Sequence, residues 1–235
     1  SAALQAIRNT VLLNLLFISV GTIFALALSL AFNEIQNKYL KKITQSFSFL
    51  PYFISTVVVG IFVSGLLGYD NGVINRIITA FGGEKVAFYM NAGYWPVILL
   101  IVNIWKGAGY NAVVYLATIS GIDSSYYEAA KIDGCSYYTI FTKIIFPLMV
   151  PTMITGCIFS FMWRWDDFLG ALLYVNKTEK YPVSLALKMF CDPSSSSDYG
   201  AMFAMATLSI LPAVLIFFCL QRYLVEGIST SGLKG

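Results

Sequence analysis

The run "NTVLLNLLFISVGTIFALALSLAF", residues 9–32, carries no charged side chain over its whole length. About 20 apolar residues cross the hydrocarbon core of a bilayer as one helix. Four more runs of this kind follow. "ITQSFSFLPYFISTVVVGIFVSGLLGY", 43–69, is also uncharged and contains Pro51. "YWPVILLIVNIWKGAGYNAVVYLATIS", 94–120, is interrupted only by Lys106. A fourth runs from Ile144 to about Trp163, with Pro147 and Pro151 near its start. The fifth, "MFAMATLSILPAVLIFFCLQRYL", 202–224, has Pro212 in its middle. Prolines are tolerated in membrane helices when neighbours re-satisfy the backbone. The chain is therefore expected to be all-α, a polytopic transmembrane helical bundle with five spans and one membrane domain over residues 1–235.

Composition narrows the chemistry. Of the 235 residues 58% are hydrophobic and 11% charged, against about 25% charged in soluble domains. Mean hydropathy is +0.74. A net charge of +3 gives no basis for nucleic-acid binding, which concentrates basic residues on one face. The chain has no histidine, so the commonest general base and metal ligand are missing. Cys135, Cys157, Cys191 and Cys219 form no CxxC pair, so no zinc or redox motif is indicated. No glycine loop ends in GK[ST], and adjacent Asp166 and Asp167 would not face the same way on a helix. An enzyme is not expected.

Five spans put the chain ends on opposite sides. The tight 33–42 connection holds Lys38, Lys41 and Lys42, the best cytoplasmic signature in the chain. Placing it inside makes 70–93 outside, 121–143 inside and 164–201 outside. Lys and Arg then number 7 inside and 7 outside, so only the density of the first loop sets the orientation. Phe, Trp and Tyr, 16% of the chain, stand partly at the expected interfaces, as aromatic belts do. "CDPSSSSDYG", 191–200, reads as a polar loop. The chain opens on Ser1 without a signal peptide and is expected to start inside a longer product.

Two stretches suggest a solute path. Lys106 sits mid-run, where a charge exposed to lipid costs roughly 3 kcal/mol, so it faces a partner helix or wet cavity, or it snorkels. Asn103, Trp105, Tyr110 and Asn111 surround it, a polar and aromatic mix that suits a sugar or helix packing. "FMWRWDDFLGALLYV", 161–175, sets Trp163, Arg164, Trp165, Asp166 and Asp167 between two apolar pieces. Phe168 to Val175 is too short to span; it is either a half-helix lining a cavity or part of an interfacial loop.

The segment "YYEAAKIDGCSYYTIFTKIIFPLMVP", 126–151, is the most specific. Ala129 and Ala130 are small and favour helix, and Gly134 permits a sharp corner. Tyr137, Ile140, Phe141 and Ile144 are spaced as one face of a second short helix, and Pro147 is expected to redirect the chain into the membrane. The product is a protruding helix-turn-helix with an acidic tip, or an arbitrary amphipathic loop. Its spacing matches E-A-A-x3-G-x9-I-x-L-P, the EAA motif, with Phe146 in place of Leu.

On these residues the segment resembles the cytoplasmic coupling loop of importer-type ABC permeases. The resemblance extends to nearly the whole chain. "RNTVLLNLL", "LPYFISTVVVGIFVSGLLGYDNGVIN" and "IWKGAGYNAVVYLATISGIDSSYYEAAKIDG" resemble the MalF-like partner of the maltose-type carbohydrate permeases, over about 8–150. "WDDFLGALLYVNK", "YPVSLAL" and "LPAVLIFFCLQRYLVEGISTSGLKG" resemble the MalG-like partner, over about 160–235, with Asp166 where Asn is usual. The resemblance implies a type I ABC importer permease fold whose first family helix is absent here. It implies a bacterial cytoplasmic-membrane, multi-pass subunit that moves a sugar or oligosaccharide by alternating access. Another solute class or a secondary transporter are the other readings. Implied partners are a second homologous permease, two ABC ATPase subunits and an extracytoplasmic solute-binding protein, besides membrane lipid. No cofactor is implied for this chain; ATP and Mg are used by the ATPases. Glu128, Ala129, Ala130, Asp133 and Gly134 would form the ATPase-coupling surface.

Overall fold

The computed structural model describes residues 2–91, 93–165, 167, 181–188 and 199–232. All regular structure among them is helical. In chain order the α-helices are α1 (Ala2–Glu34), α2 (Lys38–Phe49), α3 (Thr56–Leu67), α4 (Val73–Ala80), α5 (Trp95–Ser120), α6 (Ser124–Ile132), α7 (Tyr137–Ile140), α8 (Phe146–Trp165), α9 (Val183–Lys188) and α10 (Tyr199–Gly232). A 3-10 turn covers Leu50–Phe53, and a π-helical turn covers Phe141–Ile145.

Four helical stretches are long and apolar enough to cross a membrane: Leu4–Glu34, Trp95–Ser120, Tyr137–Trp165 and Met202–Tyr223. They correspond to the first, third, fourth and fifth expected spans. Large apolar side chains such as Ile23, Phe24, Val97, Phe203 and Leu215 are exposed along them. Soluble monomers rarely expose apolar surface on this scale, and lipid covers it at no cost.

The second expected span is bent. Residues 43–69 are not one straight helix. The chain bends by 95° between Lys38–Phe53 and Thr56–Leu67. Pro51 tightens the last turn, and Ser55 takes an extended conformation (φ −62°, ψ 148°). The Ser55 Oγ then accepts the Val58 amide at 3.3 Å and starts α3 afresh.

The chain divides into two compact units. The first is Ser1–Phe17, Phe53–Ile104 and Met162–Ala213. Val59, Val63 and Leu67, at i, i+4 and i+8 on α3, pack with Trp95 at the start of α5. Tyr89 meets the edge of Trp95 at 5.0 Å, and burial pushes its phenol pKa up. The α3–α5 connection is pinned by Asn75, only 1% exposed. Its Nδ2 donates to the carbonyls of Gly68 (3.1 Å) and Val86 (3.0 Å), and its Oδ1 accepts the Val86 amide at 2.8 Å. A buried amide satisfied on both sides ties α4 to the chain before and after it. The Val183 amide at the head of α9 donates to Thr10 Oγ1 at 2.9 Å. Trp165 is buried and donates its indole N–H to the Ser209 carbonyl at 2.9 Å.

The second unit is Ile18–Tyr52, Trp105–Phe161 and Val214–Gly235. Its main core joins Ala25 of α1 to Tyr115 and Ile119 of α5, Ala130 of α6, Ile140 of α7, Ile145 of the π turn and Met149 of α8. A smaller cluster packs Phe32 against Ala112 and Leu116. Small residues at these crossings let helices approach closely without a hydrophobic drive from water. Hydroxyl contacts supplement them, as between Thr118 and Thr152 at 3.3 Å.

Candidate functional site

The segment expected to couple to an ATPase, 121–143, follows α5 directly and lies wholly in the second unit. Asp123, in extended conformation, accepts the Ser125 amide at 2.9 Å and caps α6. The end of α6 is closed by paired bonds. The Cys135 amide reaches back to the Ala130 carbonyl at 2.9 Å, and the Gly134 amide to the Lys131 carbonyl at 3.1 Å. This six-to-one and five-to-two pairing requires a left-handed residue between, and Gly134 has φ +72°. Ser136 Oγ then accepts the Thr139 amide at 3.2 Å and starts α7. The spacing from Glu128 to Gly134 thus encodes a helix, its stop and a reversal.

The two alanines of the motif differ in role. Ala130 is buried against Ile140, Tyr115 and Met149, where a larger side chain would not fit. Ala129 is exposed, as are Glu128, Asp133 and Gly134. Tyr127 packs half-buried on the same core, and burial raises its phenol pKa, so it stays neutral. The outer face carries more than acid. Tyr126, Ile132, Tyr137 and Tyr138 project from it, Ile132 86% exposed and Tyr137 83%.

Two expectations for this segment are corrected. Tyr137 does not share the inner face; that face is Ile140, Phe141, Ile144 and Ile145. The π turn places one more residue in the loop, so Ile140 and Ile145, five apart, point the same way. Nor does Pro147 redirect the chain. Helical structure runs from Tyr137 to Trp165 as one stretch. The Phe146 amide bonds to Phe141, five residues back, and this wider turn makes room for the Pro147 ring against the preceding carbonyls.

The solute-path candidates divide between the units. In the first, Arg164 donates through Nη2 to Asn103 Oδ1 at 3.0 Å, and its guanidinium stands 5.7 Å from the Phe17 ring centroid. Trp163 is mostly exposed, whereas Trp165 is the buried anchor on Ser209. The Asp167 carbonyl accepts the Ser184 hydroxyl at 2.9 Å, tying the end of α8 to α9. Asp166 lies outside the described residues, as does the segment 168–175 expected as a half-helix or loop, and so do 191–198 of the polar stretch.

In the second unit, Lys106 and Asn111 are half-buried on α5 and Trp105 is exposed. Tyr110 stacks on Tyr52 at 4.6 Å and 12°, and on Phe49 at 5.8 Å. Its ring is thereby committed to packing, with the hydroxyl end left to polar work. Phe49 and Tyr52 went unmarked in the sequence because their partner lies more than fifty positions away. Gly109 makes the stack possible. A Cβ there would strike the Ser48 carbonyl, whereas Gly107 has open space.

Known proteins carry the same architecture. In sequence the chain is 36% identical over 128 residues to the polygalacturonan/rhamnogalacturonan transport system permease protein YteP of Bacillus subtilis, covering 54% of this chain and 40% of YteP. It is 28% identical over 230 residues to AmyC of Thermoanaerobacterium thermosulfurigenes, a "probable starch degradation products transport system permease protein", covering 98% of this chain and 76% of AmyC. The first match thus spans well under two thirds of the relative's own length. Among solved structures, one chain of a bacterial alginate ABC transporter in complex with alginate pentasaccharide-bound periplasmic protein superposes with a TM-score of 0.77. It is 29% identical, with 94% of this chain and 76% of that chain covered. The family described as binding-protein-dependent transport system inner membrane component matches residues 18–230, so this helical membrane protein belongs to that family and has the ABC importer permease fold.

Proposed function

We propose that the chain is the membrane-spanning permease subunit of an ATP-driven, binding-protein-dependent ABC importer that moves a sugar or oligosaccharide across the cytoplasmic membrane. The coupling segment carries this reading. Its corner at Gly134 is fixed by backbone bonds, and it exposes Glu128, Ala129, Asp133 and an aromatic ridge that none of the described residues covers. A partner cleft with basic residues at its rim and an apolar floor fits such a surface. Rigid attachment of α6 and α7 to α1, α5 and α8 through Ala130, Ile140 and Ile145 lets a displacement at the tip tilt the spanning helices.

In this reading two ATPase subunits supply hydrolysis with ATP and Mg, and a second permease completes the path. An extracytoplasmic protein delivers the solute. The carbohydrate names of the relatives support a sugar, as does the Asn103–Arg164 pair beside exposed Trp163. Helices α1, α5, α8 and α10 each contribute residues to both compact units, which supports a single permease domain. Uptake of radiolabelled solutes in a strain deleted for this chain tests the choice of substrate. Restored uptake of neutral or acidic oligosaccharides on complementation is expected; restored amino-acid uptake without sugar uptake overturns it.

A further inference from the structure

We infer that α2 is a binding site for an anionic phospholipid, with the headgroup at Lys38 and Lys42 and an acyl chain along Ile43, Phe47 and Leu50. The helix has an unusual division of residues. None of its side chains is fully buried. Tyr39, Leu40, Ile43, Phe47 and, just beyond it, Leu50 are all exposed, and at 100° per residue they share one arc. Lys38 and Lys42 are exposed and border that arc on one side, while Lys41 is half-buried on the packed side.

The exposure is not a result of loose packing. The opposite face is seated, with Phe49 stacked on Tyr110 and the Ser48 carbonyl against the bare Cα of Gly109. Asn37 fixes the first turn by accepting the Tyr39 and Leu40 amides at 2.9 and 3.2 Å. Depth follows from chain position. α1 is a spanning helix that ends at Glu34, so Lys38 and Lys42 stand at the headgroup level that follows. The apolar arc continues for two further turns, as an acyl chain would. Lys38 Nζ stands 5.4 Å from the Tyr39 ring centroid, the pairing of aromatic belt and snorkelling lysine found at interfaces. α2 itself contains no acidic residue, and the nearest in sequence is Glu34. A phospholipid satisfies both halves of the surface at once, since phosphate complements the lysines and the chains cover the arc. A protein partner would have to supply both a hydrophobic groove and an acidic rim.

The test uses the complete transporter in bilayers and reads lipid contact, so it does not depend on the solute carried. Spin-labelled phosphatidylglycerol and phosphatidylcholine are compared at the protein surface for wild type, Lys38→Gln/Lys42→Gln and Lys85→Gln. Wild type and the Lys85 variant should prefer phosphatidylglycerol, and the double variant should lose that preference by up to roughly 25-fold, at roughly 5-fold per lysine. Equal preference in all three overturns the proposal. A photo-crosslinking residue in place of Phe47 keeps the answer independent of assembly defects. A lipid adduct supports the site, and an adduct to a protein chain overturns it.

Discussion

Gly109 and Gly107 sit two residues apart in α5 and answer to different constraints. A methyl at 109 meets the Ser48 carbonyl, and one at 107 meets nothing. Gly109→Ala should destabilise by about 1–3 kcal/mol through overpacking. Gly107→Ala should be neutral or gain up to about 1 kcal/mol from helix propensity. Thermal unfolding of the two variants in detergent checks this, and an equal effect of both would contradict the packing described. The motif alanines form a second pair. Ala130→Leu overfills a closed core and should lower the melting temperature. Ala129→Leu should leave melting unchanged and weaken ATPase stimulation, because position 129 is exposed. Arg164 and Asn103 were each marked as path residues in the sequence. Their 3.0 Å contact was not legible, since 61 positions separate them and no local pattern encodes the pairing.

At the level of elements, legibility followed locality. Helix α6 and its stop at Gly134 could be read because alanines and glycine lie within one short window. The break before α3 was missed because hydropathy is continuous across it. The signal was present in Ser55, a capping residue just ahead of an apolar run. The π turn at Phe141–Ile145 left no composition signal beyond the proline that follows it. Its dependence on that proline is testable. Pro147→Ala restores the missing N–H and removes the ring, so the turn should relax toward α geometry and rotate the inner face. Slower amide exchange through 141–147 and reduced coupling are expected. Unchanged exchange would mean that packing of Ile140 and Ile145, not the proline, holds the wide turn.

For the whole molecule, lipid as the solvent explains what composition revealed and what it hid. Apolar runs located four spanning helices and the bent pair, because the bilayer demands uninterrupted length. The same oiliness concealed which faces pack, since lipid-facing and core-facing residues are equally apolar; Ala25 and Ala112, fully buried, look no different in sequence from exposed neighbours. In the proposed function the segment after α5 is the part that meets the motor, and Glu128 is exposed on it. Charge reversal there leaves α6 folded, because the Asp123 cap and the Gly134 turn do not involve it. The direct measurement is Glu128→Lys in proteoliposomes holding the complete assembly, with solute-stimulated ATP hydrolysis and solute uptake read together. The coupling account predicts that both fall by roughly 10-fold or more while the subunit remains inserted and folded. Uptake and ATPase stimulation at wild-type levels would contradict it.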